Sequence, residues 1–157
     1  MSVTETERLA AIEAIRTVKA QYFRGVDTED GDLVRTILAE DCELDYRGCC
    51  TDPNSGVDFL PAMNVVLTGR DAWTAGAFRK AGITSVHQGH QAEIEITGPD
   101  TAHAIWAMTD RLYMPQGASY GVMRGFGYYH ETYVRESDGW KIRTIRIERL
   151  RVEATAD

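Results

Sequence analysis

The sequence predicts an α+β fold in which helices come first and an antiparallel meander follows. Two observations carry that expectation. Up to Leu38, apolar side chains recur every three or four positions, the period of a helix with one buried face. After Gly82 the period drops to two, and three Gly- or Pro-bearing turns divide the remainder into long strands. Helices that precede strands, rather than alternating with them, pack together on one face of the sheet.

The elements follow in order. Thr4-Glu5-Thr6-Glu7 has capping-box spacing, and Leu9, Ile12, Ile15, Val18 and Tyr22 continue at helical intervals, so a helix is predicted over 5–24. Gly25 weakens it, and Asp27 falls at or just beyond its end. A short second helix is predicted over 30–39, capped by Asp30 or Asp32, with Leu33, Val34, Ile37 and Leu38 as its buried face. Cys42 to Tyr46 reads as a short strand, and the Gly, Pro, Asn, Asp and Ser content of 48–63 as a long loop. Thr68-Gly69-Arg70-Asp71 opens a third helix over 69–81, with Trp73, Ala77 and Phe78 inward and Gly82 as its stop. Strands are predicted over 83–97, 102–114, 120–136 and 140–153, joined by Gly98-Pro99-Asp100, Pro115-Gln116-Gly117 and Ser137-Asp138-Gly139. No repeat or linker interrupts the 157 residues, which read as one domain, 1–157, long enough to bury a core.

Charge and cysteine usage narrow the partners. A net charge of -7 without a Lys/Arg cluster argues against nucleic acid or an anionic membrane surface. The basic residues near the C-terminus are interleaved with apolar ones, as in a strand. Cys42, Cys49 and Cys50 are odd in number and two are adjacent, which fits neither a disulfide framework nor zinc spacing, so they read as packing or loop residues. The polar N-terminus lacks the plan of a signal peptide, and no apolar run is long enough to span a membrane. A cytoplasmic location is expected.

The chemistry concentrates in Ser85-Val86-His87-Gln88-Gly89-His90 and Ala104-Ile105-Trp106-Ala107-Met108-Thr109-Asp110. On one alternating face of the second segment, Ala102, Ala104, Trp106, Met108, Leu112 and Met114 are apolar and Asp110 alone is not. A buried carboxylate is costly unless paired. Histidine is a natural partner, and a His–Asp pair in an apolar cavity can act as a general base. The same pair could equally be a satisfied core contact. Alternation counted back from Ile96 and Ile94 leads inward to His90, not His87; a bulge at Gly89 would reverse that parity. His87 and His90, three apart on a strand, face opposite ways and have no evident third ligand, so no metal site is expected. His130 shares parity with Phe126 and Tyr128 and could face the cavity. The glycines of 121–127 lie within strands and form no phosphate loop.

Beyond these residues, Gln21-Tyr22-Phe23-Arg24-Gly25-Val26-Asp27, Val86-His87-Gln88-Gly89-His90, Trp106-Ala107-Met108-Thr109-Asp110, Gly125–Tyr133 and Asp138-Gly139-Trp140-Lys141-Ile142 resemble the SnoaL-like branch of the nuclear transport factor 2-like superfamily. The resemblance runs from about Ile12 to Val152. Within the branch it looks most like bile-acid 7α-dehydratase and is more distantly similar to scytalone dehydratase and hexachlorocyclohexane dehydrochlorinase. It implies a cone-shaped, cystatin-like α+β barrel around an apolar cavity, with catalytic residues His87, Asp110, Tyr22 and Asp27. Either Asp110 or Asp27 would orient His87; the family favours His87 over His90. Trp106, Met108 and Phe126 would bind substrate. The implied activity is a cofactor-independent, dehydratase-type elimination on a small hydrophobic cyclic substrate. Isomerisation or polyketide cyclisation in the same pocket is the enzyme alternative. A non-catalytic ligand-binding or dioxygenase small-subunit-like module is the other, because fold does not fix function. A homo-oligomer, dimer or trimer, is expected, with Arg143, Ile145, Ile147 and Arg149 as interface candidates.

Overall fold

The computed structural model describes residues 3–73 and 82–156. Helix α1 (Glu5–Asp27) starts at the predicted capping box: the Glu7 amide donates to Thr4 Oγ1 (3.3 Å) and the Thr4 amide to Glu7 Oε2 (2.8 Å). Ala11, Ile15, Val18, Tyr22 and Phe23 form its buried face, whereas Leu9 is exposed. The helix passes through Gly25 rather than weakening there. A Cβ at Gly25 would come within 2.6 Å of Val34 Cγ2, so this glycine is a close-packing position between α1 and α2. Helix α2 (Gly31–Ile37) is capped by Asp30, whose carboxylate accepts the Leu33 amide at 2.9 Å. The predicted helical residues 38 and 39 instead open strand β1 (Leu38–Asp45), where Leu38 is buried as a strand residue.

After β1 come the loop, a 3₁₀ turn (Pro61–Met63), β2 (Val66–Thr68) and the first turn of α3 (Arg70–Ala72). Trp73 is buried, as predicted; the rest of the third predicted helix, including Ala77 and Phe78, lies outside the described residues. Gly82 has φ of 86°, a left-handed conformation suited to glycine.

The meander consists of β3 (Thr84–Gly98), β4 (Thr101–Tyr113), β5 (Val122–Glu136) and β6 (Gly139–Thr155), all antiparallel. The six-stranded order is β2-β1-β6-β5-β4-β3. Strand β1 runs parallel to β6, a pairing that its side-chain alternation could not announce, because period two is the same in either direction. The sheet is curved and unclosed, with β2 and β3 at its edges. Register shifts between Gly89 and Ala92, Phe126 and Gly127, and Thr132 and Tyr133 interrupt the ladders. Such shifts bend a strand and increase its twist. Helix α1 covers the inner face, where Ile15, Val18 and Tyr22 join Ala104, Trp106, Met123, Tyr129, Tyr133 and Ile145 in one core.

The shifts also decide which residues of β6 face inward. Ile145 and Ile147 are buried, and the Arg149 side chain is 5% exposed, so these three belong to the interior and not to an outer interface. Of the predicted interface set only Arg143 lies outside, paired with Asp41 at 2.8 Å. Parity counted through two β6 register shifts fails for this reason.

Candidate active site

The end of α1 delivers Asp27 to the edge strand β3. Asp27 Oδ1 lies 2.6 Å from His87 Nδ1 and accepts the Ser85 hydroxyl at 2.7 Å, while Oδ2 accepts the His87 amide at 2.8 Å. Burial pushes the Asp27 pKa up, but the hydrogen bonds from the His87 ring and amide outweigh it, and the net direction is down. The anion is thus the resting form. The register shift between Gly89 and Ala92 is the feature that brings His87 inward: three residues of β3 span two of β4, and His90 turns outward to an exposed 3.4 Å contact with Thr109 Oγ1. Gly89 has a further role. A Cβ there would meet Phe23 Cε2 at 2.6 Å, and the Phe23 ring stacks on the imidazole with centroids 5.8 Å apart and planes 11° from parallel. The ring of His87 is therefore fixed by a carboxylate at Nδ1 and an aromatic face.

Asp110 is buried, as the alternation predicts, and sits opposite His87 in the β3–β4 register. Its carboxylate does not meet the histidine. It pairs with Arg149 Nη2 at 2.7 Å, and the guanidinium also donates from Nε to the Cys49 carbonyl (2.6 Å) and from Nη1 toward Met108 Sδ (3.2 Å). The reason lies on β5: a Cβ at Gly125 would overlap both Asp110 Oδ1 and Arg149 Nη1, so its absence makes room for the pair. Asp110 Oδ1 is buried with no hydrogen-bond partner among the described residues. Burial lowers the Arg149 pKa, but Asp110, with Tyr129 and Cys50, raises it further, so the guanidinium stays charged. Of the two carboxylates left open by sequence, Asp27 contacts His87 and Asp110 does not.

Tyr22 ends the buried face of α1, its hydroxyl 2.7 Å from the Tyr46 hydroxyl, and burial pushes both phenols well above their usual pKa. Two proton-bearing hydroxyls therefore sit in the wall. Tyr22, His87, Asp110 and Arg149 all border one cavity of about 810 Å³, whose apolar wall includes Val26, Met63, Trp73, Leu112, Met123 and Ile147. That volume suits a drug-sized ligand. Glu29, Asp32 and Ala62, all exposed, mark its rim among the described residues.

The three substrate-binding residues expected from sequence are elsewhere. Trp106 is buried in the core with Nε1 donating to Tyr133 Oη (3.1 Å), and Met108 packs behind Arg149; neither borders the cavity. Phe126 is on the outer face of β5, 36% exposed, because Met123, Gly125, Gly127 and Tyr129 occupy the inner positions. His130 shares that outer face and pairs with Glu148 at 2.6 Å. Sequence reasoning missed Arg149 and Tyr46. The signal for Arg149 was available: like Asp110, it is the polar member of an apolar alternation, after Ile145 and Ile147. Among the described residues, no group of three or more His, Cys, Asp or Glu side chains is placed to hold a metal ion.

A SnoaL-like domain model matches residues 7–146. The chain belongs to the SnoaL-like family. Among curated relatives, this SnoaL-like chain is 28% identical over 145 residues to a protein named "Probable cyclase FGR4" of Gibberella zeae, covering 89% of this chain and 91% of that one. Its fold matches hexachlorocyclohexane dehydrochlorinase LinA type 2 (TM-score 0.76, 17% identity, 98% of this chain and 94% of the other). It equally matches a Novosphingobium aromaticivorans protein named as a scytalone dehydratase candidate (TM-score 0.76, 17% identity, 98% and 97%). The proteins similar to this SnoaL-like chain thus include ones named as a cyclase, a dehydrochlorinase and a dehydratase.

Proposed function

We propose that the chain is a cofactor-independent lyase that removes a proton and a leaving group from a small hydrophobic cyclic substrate. The observation that carries this reading is the His87–Asp27 contact at the cavity edge. With Asp27 ionised, His87 carries its proton on Nδ1 and donates it to Oδ1, which leaves the Nε2 lone pair as a base. No described residue hydrogen-bonds Nε2. Nε2 would take a proton from a carbon next to a carbonyl or leaving group, and Asp27 would stabilise the imidazolium. Tyr22 would donate a hydrogen bond to the polarised or departing oxygen. Arg149, charged and held by Asp110, would oppose negative charge that develops on the substrate. The apolar wall would exclude water around these groups.

The relative named as a cyclase favours a second reading, cyclisation or isomerisation from the same abstracted proton. The two differ in mass balance: elimination yields a product lighter by its leaving group, while isomerisation yields an isobaric one. The deciding experiment is turnover of cyclic β-hydroxy and β-halo carbonyl compounds followed by mass spectrometry. His87→Ala and Asp27→Asn should each lower turnover at least about a hundredfold with an unchanged circular dichroism spectrum, the low end for losing a general base. Wild-type rates in the variants would remove the base from His87. Assembly as a dimer or trimer would bury exposed outer-face groups such as Val86 and Phe126; a monomer by sedimentation at micromolar concentration argues against it.

A further inference from the structure

Cys49 and Cys50 take no part in the chemistry proposed above, yet both border the cavity. Their sulfurs are 3.6 Å apart, and each residue is buried from bulk solvent. The backbone around them is anchored: the Cys49 amide donates to Tyr46 O (3.0 Å), the Cys50 carbonyl accepts the Phe59 amide (3.0 Å), and the Cys49 carbonyl accepts Arg149 Nε (2.6 Å). A direct bond between them is disfavoured. Adjacent Cα atoms are about 3.8 Å apart, below the roughly 4.4–6.8 Å that an unstrained disulfide spans. A third atom between the two sulfurs removes that conflict. We propose that Cys49 and Cys50 form a dithiol site in the cavity wall that chelates a soft, trivalent thiophile of the organoarsenous class, its organic group lying in the cavity.

The step balances without an oxidant. The two S–H bonds and the As=O bond break, two S–As bonds form, and both protons leave with the oxygen as water. Arsenic stays trivalent. Entry comes through the cavity, whose wall by Met63 and Trp73 suits an aryl substituent. The Cys50 thiol, pushed up by its contact with Cys49 and by burial, stays neutral, so reagents that need a thiolate have little to attack. Cys42, also buried but absent from the cavity wall, is an internal control.

The probe is phenylarsine oxide, added to the folded chain and read by intact mass and thiol counting. One arsenical per chain is expected, with two of the three thiols consumed, release by 2,3-dimercaptopropanol, and native near-ultraviolet circular dichroism throughout. Cys42→Ala should bind as the wild type does. Cys49→Ser and Cys50→Ala should each lose at least about a hundredfold in affinity, the low end of what a second tethered contact supplies. Both changes leave the backbone contacts of Cys49 in place, and either variant alone suffices if the other does not fold. Wild-type affinity in a folded single-cysteine variant, loss of binding in Cys42→Ala, or an adduct that forms only on unfolding would each overturn the proposal.

Discussion

Replacing Arg149 by methionine isolates the energetic role of the buried pair in the cavity wall. The substitution keeps most of the side-chain length and removes the charge, leaving Asp110 3% exposed at its side chain with neither carboxylate oxygen hydrogen-bonded to a cation. Breaking one side of a buried ion pair costs about 3–5 kcal/mol. The Cys49 carbonyl also loses its 2.6 Å donor, about 1 kcal/mol more. Arg149→Met should therefore destabilise by about 4–6 kcal/mol, against a total of roughly 5–15 kcal/mol for a domain of this kind. At about 2–4 °C per kcal/mol, Tm falls by about 8–24 °C. Adding Asp110→Asn removes the stranded charge, so the double variant should recover all but about 1–2 kcal/mol, mostly the unmet Cys49 carbonyl. Urea titrations of the wild type, both single variants and the double variant give the coupling, with equal m-values as the check that the states are comparable. A loss below about 1 kcal/mol in Arg149→Met, or a double variant no more stable than Arg149→Met, would refute the reasoning.

Other expectations follow from the same contacts. Gly127→Ala drives a Cβ into the Glu148 carbonyl oxygen, and backbone cannot swing aside, so a loss of about 1–3 kcal/mol is expected in urea; an unchanged midpoint would mean that the β5–β6 shift is not as described. Burial raises the Asp52 pKa, but the Val152 amide and the Ser55 hydroxyl and amide lower it further, to about 2. The unfolded carboxyl titrates near about 3.9, so stability from this loop anchor is present above that pH and is lost as pH falls toward 2. Asp52→Asn should flatten that part of the acid limb, and parallel acid limbs would count against the anchor. For Lys19, burial outweighs Glu131 and holds the pKa at about 8. The unfolded chain, titrating near about 10.4, then binds more protons across that window, so this group makes stability rise with pH between those values. NMR of lysine Cε carbons should show one of the three lysines titrating near pH 8; three midpoints above pH 10 would exclude it.

Much of the fold was legible because its signals are local. The capping box at Thr4, the turns after β3, β4 and β5, and the apolar alternation of β4 each depend on residues a few positions apart. Asp110 was legible as a buried carboxylate for the same reason. Its partner was not, since that depends on the missing side chain of Gly125, a residue on another strand that leaves room for Arg149. The β6 interface set failed through register: β6 carries an extra residue at Arg143 and another at Leu150, which reverse the parity of the stretch between them, and the sequence marks neither shift. Phe126 instead falls on the outer parity of β5, whose alternation is unbroken. The bulge that turns His87 inward could be named only because two histidines of opposite parity forced the question. Asp27 as its partner required knowing that α1 runs past Gly25, which rests on the fit against Val34.

The polar groups of the inner face divide according to where α1 ends. Under the body of the helix, Lys19 bonds Glu131 at 2.5 Å, Glu131 accepts the Tyr133 hydroxyl, and Tyr133 accepts Trp106 Nε1 at 3.1 Å. The Lys19 ammonium also lies 3.5 Å from the Tyr129 ring centroid. Every member there has a partner, as a buried network in a low dielectric must if it is not to cost stability. At the last turn of α1 the situation reverses. Among the described residues, Asp27 fixes one nitrogen of His87 and the other has no hydrogen-bond partner, and Arg149 takes one oxygen of Asp110 while the buried Oδ1 has no donor. The same sheet thus carries a closed network where the helix covers it and an open one where it does not. An unmet buried acceptor costs about 1–3 kcal/mol, a cost that a hydrogen-bond donor on a bound molecule would relieve. That difference, rather than the number of polar residues, is what supports the open end as the proposed ligand site and the Lys19 network as structure.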